Sequence, residues 1–432
     1  MTTIFLITAL FAFLLMGVPI AISLGLSSVL TVLLFTPTSL ASIALKFFAT
    51  TEHYTLTAMP FFILASAYMT SGGMARRLID FATAAVGHVP GGLAVGSVFA
   101  CTLFAAISGS SPATVAAIGS IVIVGMVRTG YTPAFAVGVV CCAGTLGILI
   151  PPSIPLIAYA ATTESSVGRL FLAGFFPGIL LSAILMLAVY GYARWLGLPR
   201  LPKASWRERM IAARKSFWGI LLIGVIMGGI YGGAFTPTEA AAVSAVYAFV
   251  VATWIYKDCP LRDSPKILLE AGKVTVMLLF IVANAFLFAH VLTSERIPEM
   301  LATKLISAQM EPWVFLIILN IMLLVGGIFM EPVALILILS PVIFPVAMQL
   351  GIDPIHLGII FVVNMEIGMV TPPVGLNLFV AAGITGMKIM TVARAVLPWI
   401  AVLLAFLMLV TYVPWISTWV PDLLLGAELR PR

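Results

Sequence analysis

Two short polar clusters interrupt stretches otherwise apolar enough to cross a membrane: Ser108-Gly-Ser-Ser-Pro112 and Phe329-Met-Glu-Pro332. Each is followed by a second interruption built on a proline pair, Gly147-Ile-Leu-Ile-Pro151-Pro152-Ser153 and Gly368-Met-Val-Thr371-Pro372-Pro373-Val374. Proline removes a backbone donor and clashes with the preceding turn, so two in succession end a helix. In hydrocarbon the freed carbonyls survive only where they line a cavity or are covered by protein. The chemistry on offer is therefore ion and anion binding. Ser108 and Ser110 add neutral oxygens beside an unwound Gly144-Thr145 to Pro151 segment, a set that suits Na⁺ better than a transition metal. Ser111 is expected to cap the returning helix, with Pro112 at its first position where the missing donor costs nothing. That helix N-terminus would point partial positive charge toward the membrane centre, a good place for a carboxylate.

Two acidic residues sit deep in apolar sequence. An intramembrane carboxylate is costly and defaults to a functional reading. Glu331, before Pro332, has two roles open to it: cation ligand or helix cap. Glu366, five residues before Thr371, has two as well: a proton or cation site, or a buried pair with a polar neighbour. Thr236-Pro-Thr-Glu239 reads as a capping box, which accounts for Glu239 locally. Asn377, after the second proline pair, is expected to face the cavity. Of the histidines only His290 falls inside an expected span, in a structural role. The four cysteines lack CxxC or metal spacing and read as packing residues.

The elements that position these clusters follow from a repeat. Shifting Gly130–Pro177 onto Gly351–Pro398 without a gap aligns identical residues at Gly130/Gly351, Pro133/Pro354, Gly147/Gly368, Pro151/Pro372, Pro152/Pro373, Ala160/Ala381, Ala161/Ala382 and Pro177/Pro398. Most are Gly or Pro, which set backbone shape. The chain is thus read as a duplication, 1–205 and 216–432, joined by a basic linker, 206–215. In the first half the expected segments are 4–16, 19–35, 56–71, an interfacial arm at 72–90, a hairpin at 91–127, a broken helix at 133–163, and 170–194. In the second they are 217–235, 238–256, 274–293, an arm at 293–312, a hairpin at 313–349, a broken helix at 354–386, and 395–420. The hairpin arms are too closely joined for two independent crossings, so each is read as re-entrant.

Composition agrees with a membrane setting. Of 432 residues 62% are hydrophobic and only 9% charged, with a mean hydropathy of +1.18; a soluble domain carries about 25% charge. The first 16 residues hold no Lys or Arg and no cleavage site follows, so 4–16 is read as a membrane helix, not a signal peptide. The net charge of +6 does not point to nucleic acid, because the basic residues lie between apolar segments as topology determinants. Arg194–Lys215 carries seven basic residues and one acid, Glu208, and is placed in the cytoplasm. Counting crossings outward puts Arg76, Arg77, Arg128, Lys257, Arg262, Lys266, Lys273, Lys388 and Arg394 on the same side. Lys46, Arg169, Arg296, Lys304, Arg430 and Arg432 fall outside that set, and both termini come out periplasmic. The first hairpin then opens inward and the second outward, as an inverted repeat requires.

Ser108-Gly-Ser-Ser-Pro-Ala-Thr114, Gly147-Ile-Leu-Ile-Pro-Pro-Ser153, Thr236-Pro-Thr-Glu-Ala-Ala-Ala242 and Thr371-Pro-Pro-Val-Gly-Leu-Asn377 closely resemble the large membrane subunit of TRAP transporters, the DctM type. The resemblance runs along essentially the whole chain. It implies an all-α polytopic membrane protein of the bacterial inner membrane, an inverted-repeat elevator transporter with two re-entrant hairpins and two broken helices. It also implies a sodium-coupled importer of organic acids, C4-dicarboxylate, keto acid or sugar acid. The implied partners are a separate small four-helix membrane subunit and a periplasmic substrate-binding protein. On this resemblance Na⁺ is the coupling ion. One ion is expected around Ser108, Ser110, Gly144 and Gly147, a second around Gly327, Glu331, Gly368 and Thr371. The substrate carboxylate is expected near Ser110, Ser111, Pro152, Ser153 and Asn377. A stand-alone ion-coupled anion carrier would share the duplicated hairpins and dispense with the soluble partner. An enzyme is not expected, since HExxH, GxSxG and DDxxD patterns are absent.

Overall fold

The structure, a computed structural model, describes residues 2–36, 41, 44, 45, 47, 48, 52–307 and 309–426; Lys46, Arg430 and Arg432 of the charge assignment lie outside these residues. Every regular element among them is helical. Eight helices are long and apolar enough to cross a membrane.

The first half begins with α1 (Thr2–Leu15) and α2 (Ile20–Phe35), parted at Pro19, and continues with α3 (Ala58–Ser71) and the arm α4 (Met74–Val86). Next come a hairpin, α5 (Gly92–Ser108) and α6 (Ser111–Arg128), and then α7 (Pro133–Ala143) with a 3₁₀ turn at Gly144–Ile148. Beyond the proline pair lie α8 (Ile154–Thr163) and the long α9 (Val167–Trp195). The second half holds α10 (Trp206–Tyr231), α11 (Pro237–Val250) with a π turn at Val251–Ile255, α12 (Ser264–Ser294) and the arm α13 (Ile297–Ser307). A hairpin of α14 (Pro312–Phe329) and α15 (Pro332–Gln349) follows, then α16 (Pro354–Gly368), the second break, α17 (Leu376–Thr385), α18 (Ile389–Tyr412) and α19 (Trp415–Leu425). Arm, hairpin, broken helix and long helix recur in the same order in both halves.

Three boundaries differ from expectation for local reasons. The linker's second part is helical, because Ser205 and Glu208 form a capping box that starts α10 eleven residues before the apolar run. Pro265 at the start of the first turn, where its missing donor costs nothing, lets α12 begin as far back as Ser264. The expected single segment 395–420 is two helices: Pro414 follows Val413, whose ψ of 77° is outside the helical region and ends α18, and α19 begins at Trp415.

The arm α4 buries Met74, Ala75, Leu78, Ile79 and Ala82 on one face and leaves Arg76 and Asp80 outside, the spacing of an amphipathic helix. Arg77 pins it. Its guanidinium meets Asp258 at 2.6 Å, lies 3.8 Å over the Tyr256 ring, and donates to the Gly72 and Gly73 carbonyls at 3.0 Å. Ser216 of α10 donates to the Arg77 carbonyl at 2.8 Å. At the same end Leu201 donates to Gly87 O and Tyr131 to Pro199 O. Those bonds gather the arm, the linker and the loop after α11, the segments richest in Lys and Arg. The opposite end joins Arg169 to Asp422 and Gly426 O, and Tyr231 to Gly168 O.

Each hairpin tip is seated on a helix break through glycine. Gly109, at φ +60°, approaches the break so closely that a Cβ would stand 2.8 Å from Pro152 O. A Cβ on Gly147 would stand 2.6 Å from Ser110 O and 2.7 Å from Thr114 Oγ1. In the second half a Cβ on Gly368 would meet the Gly327 backbone at 2.6–2.7 Å, and Gly375 N donates to Ile328 O at 3.3 Å. Both proline pairs carry a cis Pro–Pro bond.

Gly368→Ala should therefore lower the thermal stability of the purified protein by about 1–3 kcal/mol, the scale of an overpacked core site. Gly383→Ala, where a Cβ meets nothing within 4 Å, should be neutral or slightly stabilising. Asp258→Asn should cost no more than about 1 kcal/mol, since this pair is partly exposed. Thermal unfolding in one detergent compares all three; equal melting of Gly368→Ala and Gly383→Ala would contradict the seating of tip on break.

Candidate functional site

The two tips and the two breaks converge on one cavity of about 770 Å³. Ser108, Gly109 and Ser110 of the first tip line it, with Pro112 and Ala113 from the first turn of α6. From the second tip come Glu331, Pro332 and Val333. Ile148 and Ile154 flank the first break and Met369 and Leu376 the second; Ser66 and Thr70 of α3 close another side. The remaining wall is the loop after α11 and the start of α12, with Asp258, Asp263, Lys266 and Glu270.

The first tip is tied together by oxygen. Ser108 Oγ and Thr114 Oγ1 are 2.8 Å apart, and the Ser110 carbonyl accepts from Thr114 N at 3.1 Å and from Thr114 Oγ1 at 2.9 Å. The N-cap of α6 is Ser110, with extended backbone and no side-chain capping bond. The expected cap at Ser111 is thereby corrected. Ser111 already lies inside the helix, and its hydroxyl accepts from Asn377 Nδ2 at 2.7 Å.

At the second tip Glu331 makes the cap: its Oε2 accepts from Ala334 N at 3.0 Å. The same side chain borders the cavity. Gly327 and Gly368 touch through backbone, and Thr371 donates to Ile367 O at 2.6 Å. Gly144 packs on Val115 and Gly147 on Ser110, so the break of the first half is joined to its own hairpin.

Pro152, Ser153 and Asn377 are buried and are not among the cavity-lining residues. Ser153 caps α8 by accepting from Leu156 N and donates to Ile148 O. Asn377 bridges the halves, reaching Ser111 and, at 3.4 Å, Cys141 O, while its own N–H donates to Met369 O. The capping box at Thr236 and Glu239 forms as expected. The four cysteines are buried and unpaired.

Two groups escaped sequence reasoning. One is the wall from Asp258 to Glu270, whose charges sit outside any apolar run. The other is a buried polar chain. Asn364 donates to Asn320 Oδ1 at 2.8 Å, and Asn320 donates to Thr411 Oγ1 at 3.1 Å. His356, which like His290 lies within a span, contacts Thr411 O and Ser417 Oγ. An Asn in each of two neighbouring apolar helices is the only signal the sequence offered for it.

Comparison with known proteins agrees with this architecture. Residues 7–416 match the family described as tripartite ATP-independent periplasmic transporter, DctM component. The chain is 62% identical over 400 residues to the C4-dicarboxylate TRAP transporter large permease protein DctM of Pseudomonas aeruginosa, covering 93% of this chain and 94% of that one. It is 56% identical over 437 residues to the protein of the same description from Vibrio cholerae, covering 96% of each. In fold it is similar to the Alcanivorax borkumensis YdaH transporter, with a TM-score of 0.63 at 15% identity over 90% of this chain and 89% of the other. The chain is a multi-pass transport permease, not an enzyme, and belongs to the DctM component family of tripartite ATP-independent periplasmic transporters.

Proposed function

We propose that the chain is the large permease subunit of a sodium-coupled inner-membrane importer of C4-dicarboxylates, working with a small four-helix subunit and a periplasmic binding protein. The observation that carries this reading is the convergence of both tips and both breaks on one cavity, in a chain 62% identical to a C4-dicarboxylate permease. In this reading 1–205 and 216–432 act as inverted repeats about the linker 206–215. The hairpins and broken helices move as an elevator against the remaining helices, and both termini are periplasmic. The cavity borders Asp258–Glu270, which charge assigns to the cytoplasm, so the arrangement corresponds to an inward-facing state.

Charge gives the order of events. The first turn of α6 offers its N-terminus to one substrate carboxylate. Glu331 at the other tip repels that dianion. A Na⁺ held by Glu331, Gly327, Gly368 and Thr371 cancels the repulsion, and a second at Ser108, Ser110, Gly144 and Gly147 adds attraction at short range. Sodium therefore binds first and creates the anion site at Ser110 on the cavity wall, with Ser111, Pro152, Ser153 and Asn377 buried behind it as its support.

Uptake into proteoliposomes containing all three components should require a sodium gradient, and should favour C4-dicarboxylates over keto acids and sugar acids. Transport by this chain alone would instead select a stand-alone carrier. Ser110→Ala and Thr371→Ala should each raise the half-saturating Na⁺ concentration on the order of tenfold, equivalent to about 1.4 kcal/mol. Unchanged sodium dependence in both variants would refute the ligand assignment.

A further inference from the structure

Glu366 takes no part in the cages described above. It is fully buried in α16, and neither carboxylate oxygen has a hydrogen-bond partner among the described residues. A carboxylate can accept about four hydrogen bonds, and one buried in apolar surroundings stays ionised only when paired or bound to a cation, and otherwise takes up a proton.

Helical spacing of 100° per residue fixes the direction it faces. Asn364 reaches Asn320 on α14, and Glu366, two residues on, lies on the opposite side of α16. Around the helix axis it is about 80° from Gly358, which lies two turns earlier and packs against Tyr159 and Leu170 of the first half. The elements packed on α16 are α8, α9, α14, α15, α18, α19 and the 3₁₀ turn at Gly144–Ile148. They supply no cation to it. Arg169 is engaged by Asp422 and Gly426 O, Arg194 and Arg394 are exposed, and Tyr159 spends its hydroxyl on Pro354 O. Glu331 caps α15.

Among the described residues, the buried amide and carboxylate oxygens without a donor are Asn364 Oδ1, Asn377 Oδ1 and both oxygens of Glu366. All belong to residues 364–377, around the second break. Glu366 is the one carboxylate among these oxygens, and a single carboxylate matches a monovalent cation better than a divalent one, which gathers more anionic ligands.

We infer that Glu366 is the anionic ligand of a further monovalent cation site, on the face of α16 turned toward the first half, and that its ion is sodium carried with each substrate. The inference rests on the sodium-coupled reading above. Two sodium ions balance a dianion and leave the cycle electroneutral. A third makes each cycle move one net positive charge inward, so uptake responds to membrane potential.

The test uses the three-component proteoliposomes with fumarate, a dianion, under imposed potassium diffusion potentials. Wild-type uptake should rise several-fold with an inside-negative potential, and Glu366→Gln should lose that response and one sodium from its flux stoichiometry. Glu366→Asp, which keeps the charge at shorter reach, should keep the potential response and need more sodium. Should Glu366→Gln not transport, thermal stabilisation of the purified variant by NaCl, with KCl as control, should rise less steeply with concentration than in wild type. A Glu366→Gln protein whose potential response or sodium steepness is unchanged overturns the site. A potential response set by pH at fixed sodium overturns it in favour of a proton. Wild-type uptake indifferent to sodium would defeat the coupling reading itself, a result separable from failure at Glu366.

Discussion

Everything in this structure depends on covering two breaks in helices that lie among apolar neighbours. An interrupted helix exposes backbone carbonyls, and hydrocarbon offers them no donors. The solution is the same at both places: a hairpin tip pressed so closely onto the break that only glycine fits between, at Gly109 and Gly147 in one half and at Gly368, against the Gly327 backbone, in the other. Close approach of backbone to backbone brings carbonyls, hydroxyls and a helix start into one small volume. The cavity is a by-product of satisfying the breaks, and the chemistry available in it is the chemistry of the main chain.

The halves meet that constraint with different residues. In the first, hydroxyls of Ser108 and Thr114 hold the tip and no formal charge is present. In the second, a carboxylate at Glu331 holds it, and another, Glu366, lies behind. The halves share the glycines and prolines that shape the backbone while their polar side chains differ. Charge is thus unequal at two tips of similar backbone.

Much of this was legible in the chain because proline and glycine act through their own backbone, without a partner. Pro151-Pro152 and Pro372-Pro373 announced the breaks, and the repeat of Gly147 at Gly368 announced their equivalence. The hairpins were legible from connections too short for a hydrated loop. What stayed hidden depends on contacts distant in sequence. Ser111 looked like a cap because it precedes proline; its hydroxyl is claimed by Asn377, 266 residues away. The Asn364–Asn320–Thr411 chain joins residues separated by 44 and 91 positions, each unremarkable in its own helix. Ser205 and Glu208 were readable in principle, but lay in a segment whose basic charge drew attention to topology.

The bond between Asn377 and Ser111 also bears on biogenesis. The first hairpin leaves the ribosome with its serine donors and acceptors in place, while the amide that completes the contact lies near the far end of the chain. Contacts of such sequence separation are slow to form, since the intervening chain must be ordered first. The first hairpin must therefore be held in the bilayer through synthesis of α10 to α16 without that bond, supported by its own break and arm and by α3 and α9. Its internal Ser108–Thr114 bonding and the Arg77 clamp on α4 provide that support at different times: the former is complete within the hairpin, and the latter waits only for Asp258. The half without acidic residues at its tip is the one made first, so no uncompensated tip carboxylate has to enter the membrane before its covering helices exist.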